Sequence, residues 1–343
     1  MKPNSVIRGA YPRRTIALLV LATLAVGVFS LGLGQYHLSL GNILTILKTP
    51  FYTDGAPFSA TEHHIVWTVR LPRVLMAFCA GSALALSGAA LQGVFHNPLV
   101  DPHIIGVTSG AAFGGALAIL LGFSPWLLTA STFSFGLLAL LLVYTVAYFM
   151  GQGNRMVLVL AGVILSGFFS ALVSLIQYMA DTEETLPSIV FWLLGSFATA
   201  SWPKLLIVSS VLLIAGSLLL RLRWRINLLS LGERQAQTLS VSVVGTRWLI
   251  LVLCALVVAA QVSVSGSIGW IGLVIPHLAR FLVGTDHRYL LPASLLLGGA
   301  FMIAVDDIAR TLTSAEIPIG IITALLGAPV FALLLFKNAR RPL

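Results

Sequence analysis

Ten apolar stretches, most of them close to the ~20 residues needed to cross the hydrocarbon core of a bilayer, dominate this 343-residue sequence. They lie near 15–34, 71–94, 104–122, 127–150, 157–180, 203–220, 248–264, 265–280, 290–308 and 317–336. Lipid satisfies no backbone N–H or C=O group, so a chain of this kind folds as packed helices. The expectation is an all-α membrane protein of about ten transmembrane helices, forming a single domain over 1–343. Composition agrees: 58% of residues are hydrophobic and 9% charged, against about a quarter charged in soluble domains. Cys79 and Cys254 sit inside apolar runs and read as small core residues without a disulfide.

The net charge of +9 is a topology signal, not a sign of a nucleic-acid partner. With spans alternating from a basic N-terminus, all but five of the 20 basic residues fall on one side; Lys48, Arg70, Arg73, Lys204 and Arg310 are the exceptions. The positive-inside rule makes that side, and both termini, cytoplasmic. The first run is long for a signal-peptide core and no A-x-A site follows it, so it reads as an uncleaved span. Residues 35–69 form an external segment with one surface helix.

Small residues punctuate the spans. Gly81, Ala85, Ala89 and Gly93 recur every four residues, as do Gly106, Gly110, Gly114 and Ala118, which places each set on one helix face. Joined by the turn at 96–102, the two stripes are expected to face each other in a helical hairpin. The segment 189–202 is too broken for a confident span and is placed at the outer surface or re-entrant. An irregular span is expected over 265–280, where Gly266, Gly269 and Gly272 precede Pro276 and His277.

The stretch 221–247 carries the highest density of charge and lies between two apolar runs. It reads as a cytoplasmic knob of two short helices broken at Gly232, with Glu233 at a helix start, where a carboxylate is favoured.

Taken in order, RLPR (70–73), GSALALSGAALQG (81–93), NPLVDP (97–102), GVTSGA (106–111), FWLLGS (191–196), LLSLGERQAQTLSV (228–241), GSIGWIGLVIPHLAR (266–280), DIAR (307–310) and EIPIGIITALLGAPVF (316–331) give the chain its resemblance to the FecCD-type permease family. These are membrane subunits of type II ATP-binding-cassette (ABC) importers for vitamin B12, iron siderophores and haem. The resemblance implies a bacterial inner-membrane permease working as two copies, identical or paralogous, with two cytoplasmic ATPase subunits and an external binding protein. It also implies that ATP and magnesium are used by the ATPase and that no cofactor is bound by this chain. The chain itself has no GxxxxGK[ST] loop to hold ATP.

By the same resemblance, Leu231, Gly232, Glu233, Ala236 and Leu239 would couple to the ATPase. Arg70, Arg73 and Arg310 would dock the binding protein, and Asn97 and Leu99 would stand at an inner gate near the 151–155 turn. The cargo implied is a chelated metal; an oxyanion such as molybdate is the alternative, and an ion-coupled secondary transporter is the rival from another class. An intramembrane enzyme finds no HExxH and no nucleophile with a plausible base. His277 lacks ligating partners at i+3 or i+4 and reads as packing, His63 and His64 read as a solvated pair, and Asp306 and Asp307 are expected to pair with Arg310.

Overall fold

A computed structural model describes residues 11–34, 36–52, 57–151 and 155–339. Among these the chain is almost entirely helical, without a strand. In order the helices are α1 (Tyr11–Gly32), α2 (Leu40–Lys48), α3 (Ala60–Phe95), α4 (Val107–Leu120), α5 (Pro125–Gly151), α6 (Arg155–Met179) and α7 (Thr185–Leu194). They continue as α8 (Trp202–Arg221), α9 (Arg223–Ser230), α10 (Glu233–Thr238), α11 (Val243–Ser265), α12 (Ile271–Val283), α13 (His287–Thr311) and α14 (Ile319–Ala339). Seven of them, α1, α3, α5, α6, α8, α11 and α13, are long and apolar enough to cross a membrane. The shorter α4, α7, α12 and α14 are also apolar.

The spine of the bundle is α3. Its start is fixed by a capping box in which the Ser59 hydroxyl accepts from Glu62 N and Glu62 accepts from Ser59 N, satisfying two donors that have no partner in the first turn. The helix begins eleven residues before the span expected at 71. Pro72 does not start it, because the π-helical stretch Ile65–Arg70 takes up the lost hydrogen bond: Leu71 N donates to Val66 O, one residue beyond the α-helical partner. A wider turn of this kind is a recognised way to carry a proline inside a helix.

The small-residue stripes do not face each other. A Cβ on Gly81 would lie 2.1 Å from the carbonyl oxygen of Gly298 in α13, and one on Gly88 would lie 2.0 Å from that of Gly272 in α12. The second stripe meets α5 instead, with Gly110 and Gly114 against Phe135, Ser131 and Ala139. The hairpin expectation fails because the connection is not a tight turn. His96 ends α3 in the left-handed region (φ 52°), and a 3₁₀ turn, Pro102–Ile105, then packs under Gly162 of α6 before α4 begins.

Two further segments carry irregular backbone inside the bundle. Residues 195–201 leave α7 through Ser196 N to Ser265 O (3.0 Å), and Ile319 N at the start of α14 bonds Gly195 O (2.9 Å). Residues 266–270 run irregularly into α12, as expected of the glycines there. Gly195, Phe197, Gly266 and Ile268 in these stretches are buried in protein, which is the condition for non-helical backbone at membrane depth. Cys79 and Cys254 are buried, unbridged core residues.

Gly88→Leu should be far more damaging than its size suggests, since the side chain would have to displace backbone. The expected result is loss of monodisperse protein on detergent gel filtration, whereas Gly27→Ala, with nothing within 4 Å of its added Cβ, should melt like wild type.

Candidate functional site

At the end of the bundle that carries Arg221, Arg223, Arg225 and Arg234, the chain leaves α8 and forms the two short helices expected of 221–247. Helix α9 ends at Ser230, Gly232 takes φ 122°, and α10 starts at Glu233. That φ is rare for any residue with a Cβ. The apolar edges divide by direction: Ile226, Leu228, Leu229 and Ala236 turn into the core, while Trp224, Leu231 and Leu239 are exposed. Of the five residues expected to couple, Leu231 and Leu239 are thus presented outward and Ala236 is an anchor.

The anchoring is ionic as well. The Glu233 carboxylate lies 2.5 Å from Arg247 Nη2 in α11 and 3.0 Å from Arg155 Nε in α6. Arg247 is 1% exposed, the largest fully buried side chain of the chain's described residues, so Glu233 is the counter-ion of a cation that cannot reach water. Removing one partner of a fully buried pair typically costs about 3–5 kcal/mol; Glu233 is about a third exposed, and screening lowers that figure.

Three further sets of contacts brace this end of the bundle, two of them made by α9. The His96 ring nitrogen Nε2 meets the carbonyl oxygen of Leu229, joining the end of α3 to α9. Asn227 donates to Asp286 Oδ1 (2.7 Å) and accepts from the amide of His287 (2.9 Å), joining α9 to the start of α13. Gln92 donates to Gly272 O (3.2 Å) and accepts from Arg280 Nη2 (2.6 Å), joining α3 to α12. These groups surround an open cavity of about 680 Å³ lined by Gln92, His96, Trp224, Asn227, Arg280 and His287 among others.

Asp286 caps α13 through the amide of Arg288 (2.9 Å) and pairs with its guanidinium. Burial opposes its ionisation, but the hydrogen bonds from Arg288 and Asn227 outweigh it and pull the carboxyl down to about 2.

The expected gate residues lie beside this assembly. Asn97 closes a turn by accepting from Leu99 N (2.9 Å), and Leu99 is exposed. Of the neighbouring 151–155 turn, residues 152–154 lie outside the described residues, as do Lys2, Arg8, Arg340 and Arg341 at the ends.

At the opposite end the three arginines expected to face a docked protein are turned inward. Arg73 is held by Asp306 (2.7 Å) and Glu316 (2.9 Å), and Glu316 also accepts from Ser196 Oγ (2.8 Å). Arg310 bonds Asp307 (2.5 Å) and the carbonyl oxygens of Leu33 and Ser30, while Arg70 bonds those of Leu31 and Tyr36. The expected pairing of Asp306 and Asp307 with Arg310 is present, with Asp306 committed mainly to Arg73. The network binds α1, α3, α13 and the segment before α14 to one another.

His277 packs edge-to-face on Phe331 and contacts Leu273 O, as read from the sequence. His63 differs from its expectation: it stacks on Phe58, lies near Tyr52 and Trp67, and meets Thr49 O. Sequence reasoning missed the roles of Arg155, Asn227, Arg247 and His96. One signal was available, because Glu233 is the sole acid among five basic residues in 221–247.

The sequence pattern of the FecCD transport family matches residues 20–337. The molybdate import system permease protein MolB of Haemophilus influenzae is 51% identical over 99% of this chain and 98% of its own. The hemin transport system permease protein HmuU of Yersinia pestis is 37% identical over 95% and 96%. The cobalamin import system permease protein BtuC of Halobacterium salinarum is 38% identical over 96% and 90%. A solved structure described as an inward-facing conformation of a transporter assigned to the metal-chelate ABC type is 50% identical, with a TM-score of 0.86, covering 95% of this chain and 99% of that one.

Since the Asp286 carboxyl is depressed below its ordinary value of 3.8, its charged form stabilises the fold above about pH 4, and that contribution is lost as pH falls through about 2. Melting curves of Asp286→Asn should therefore lie below wild type at neutral pH and converge with it near pH 2; a constant gap would contradict this.

Proposed function

The chain belongs to the FecCD transport family and is an integral membrane permease of the ABC class; we propose that it imports a small oxyanion of the molybdate type. The observation that carries the cargo is the 51% identity to a molybdate permease over essentially both full lengths, against 37–38% for the haem and cobalamin permeases. A chelated metal is the second reading, favoured by the 50% identical transporter assigned to the metal-chelate type.

In this proposal two copies sit in the bacterial inner membrane with the basic end and both termini in the cytoplasm, as the charge distribution supports. Two ATPase subunits seat on the 221–247 loop and use ATP and magnesium, and the chain performs no covalent chemistry. Leu231 and Leu239 supply the exposed apolar contacts, and Gly232 allows the bend between α9 and α10. Motion of the loop reaches the spans through Glu233 to α6 and α11, through His96 to α3, and through Asn227 to α13. Leu99 and Asn97, at the end of α3, are the gate residues that this motion displaces.

A binding protein delivers cargo at the opposite end. Its carboxylates would compete with Asp306 and Glu316 for Arg73, and with internal acceptors for Arg70 and Arg310. Arg73→Glu should weaken the binding protein's affinity for the reconstituted importer at least tenfold, and an unchanged affinity would remove Arg73 from the docking surface.

The direct test of function is proteoliposomes holding permease, ATPase and binding protein. ATP-dependent accumulation of molybdate is expected, and Leu231→Asp should lower it by about tenfold or more, the scale of an interface hot spot. Accumulation of an iron chelate in place of molybdate would support the second reading. Uptake driven by an ion gradient without the ATPase would contradict the class of mechanism.

A further inference from the structure

A second cavity shares no lining residue with the loop or the arginine network. It has a volume of about 350 Å³ and is lined by His103, Thr108, Ser109, Ser170, Ser174 and Ser267, with Ala112, Val173 and Leu193 completing the wall. Five hydroxyls and an imidazole thus converge where α4, α6 and the irregular stretch before α12 meet, and among the described residues the lining contains no carboxylate, lysine or arginine. We propose that this cavity is a binding site for a small tetrahedral oxyanion on its way through the permease.

Three observations point to an anion. Helix α4 begins here: Thr108 and Ser109 belong to its first turn, and Gly106 precedes it with φ 81° and no side chain to cap the free N–H groups. The N-terminus of a 14-residue helix carries partial positive charge and unpaired donors, which favour a negative ligand. Thr108 is 3% exposed, and its buried hydroxyl has no hydrogen-bond partner among the described residues; a buried polar group left in that state is costly unless something binds it. The side opposite α4 is the exposed face of α6, where Ser170 and Ser174 stand one helical turn apart beside Gly167, which has open space around it.

Size and charge sharpen the ligand class. The volume lies near the bottom of the ~300–1,000 Å³ typical of pockets for drug-sized ligands, so it suits a small ion better than a macrocyclic chelate. Donors without a fixed cation hold an oxyanion by hydrogen bonds and a helix dipole, weakly enough to release it, as a transport pathway requires. Close packing keeps the geometry in place: a Cβ on Gly162 would fall 2.0 Å from Ile104 O, so α6 holds the 3₁₀ turn that precedes α4 at backbone contact.

The choice of molybdate as probe rests on the cargo reading above, and the experiment separates the two. Radiolabelled molybdate is titrated onto the purified full-length permease in nanodiscs, without ATPase or binding protein, using wild type, Thr108→Val, Ser109→Ala, their double variant, and Thr108→Ser as rescue. Gel filtration and melting temperature confirm that each is folded. The expected result is saturable binding to wild type, weakened about tenfold or more in the double variant and restored in Thr108→Ser, with tungstate competing. No saturable binding to folded wild type, or equal binding by the double variant, would overturn the site. If the complete importer accumulates molybdate while the double variant binds it like wild type, the site fails and the cargo reading stands. If the importer accumulates only a chelate while the binding pattern is as expected, the cargo reading fails and the site stands.

Discussion

Backbone-to-backbone contact along α3 is the constraint on which the rest of the structure depends. In lipid, apolar surface gains nothing by leaving one apolar neighbour for another, so helices associate through packing and buried polar contacts. Gly81 against Gly298 and Gly88 against Gly272 bring α13 and α12 to a distance at which no side chain intervenes. With α3 wrapped on these sides, polar groups that it carries must be met internally. Gln92 bonds α12, Arg73 bonds Asp306 and Glu316, and Ser82 Oγ donates to Leu295 O. The arginine network and the polar cluster around Gln92 are thus two ends of one tightly held helix.

Much of this was legible in the sequence, and what was not has identifiable causes. The apolar runs gave the spans, because bilayer thickness sets their length. Gly232 and Glu233 gave the two-helix form of the loop, because a positive-φ break followed by a helix-start acid is a local signal. The glycine stripes gave close packing but not its partners; a spacing of four reports a face of one helix and is silent on which helix meets it. The start of α3 lies eleven residues before the span expected at 71, because the π turn at Ile65–Arg70 carries Pro72 inside the helix. The inward turn of Arg70, Arg73 and Arg310 depends on contacts between residues far apart in the chain, as does the pairing of Glu233 with Arg155 and Arg247.

The loop and the gate turn acquire a common logic from these contacts. Helix α9 is bound to α3 by His96, to α13 by Asn227, and through Gly232 to α10, whose Glu233 reaches α6 and α11. A push on the exposed Leu231 and Leu239 therefore meets a braced platform instead of a flexible loop. In the proposed mechanism, energy delivered there would move span ends together, with Asn97 and Leu99 carried on the end of α3. The family resemblance suggested which residues would couple; the geometry adds that Ala236 is buried, that Glu233 is paired with Arg155 and Arg247, and that His96 and Asn227 tie α9 to the spans.

The central claim is that loop and gate turn move as one body. Spin labels at Leu239 and Leu99 in the reconstituted importer, measured by pulsed dipolar spectroscopy with and without ATP, test it most directly. The account predicts that the distance between 239 and 99 within one copy stays constant while the distance between the two copies' 99 positions changes with nucleotide. A change in the 239–99 distance, with the distance between copies unaltered, would contradict it.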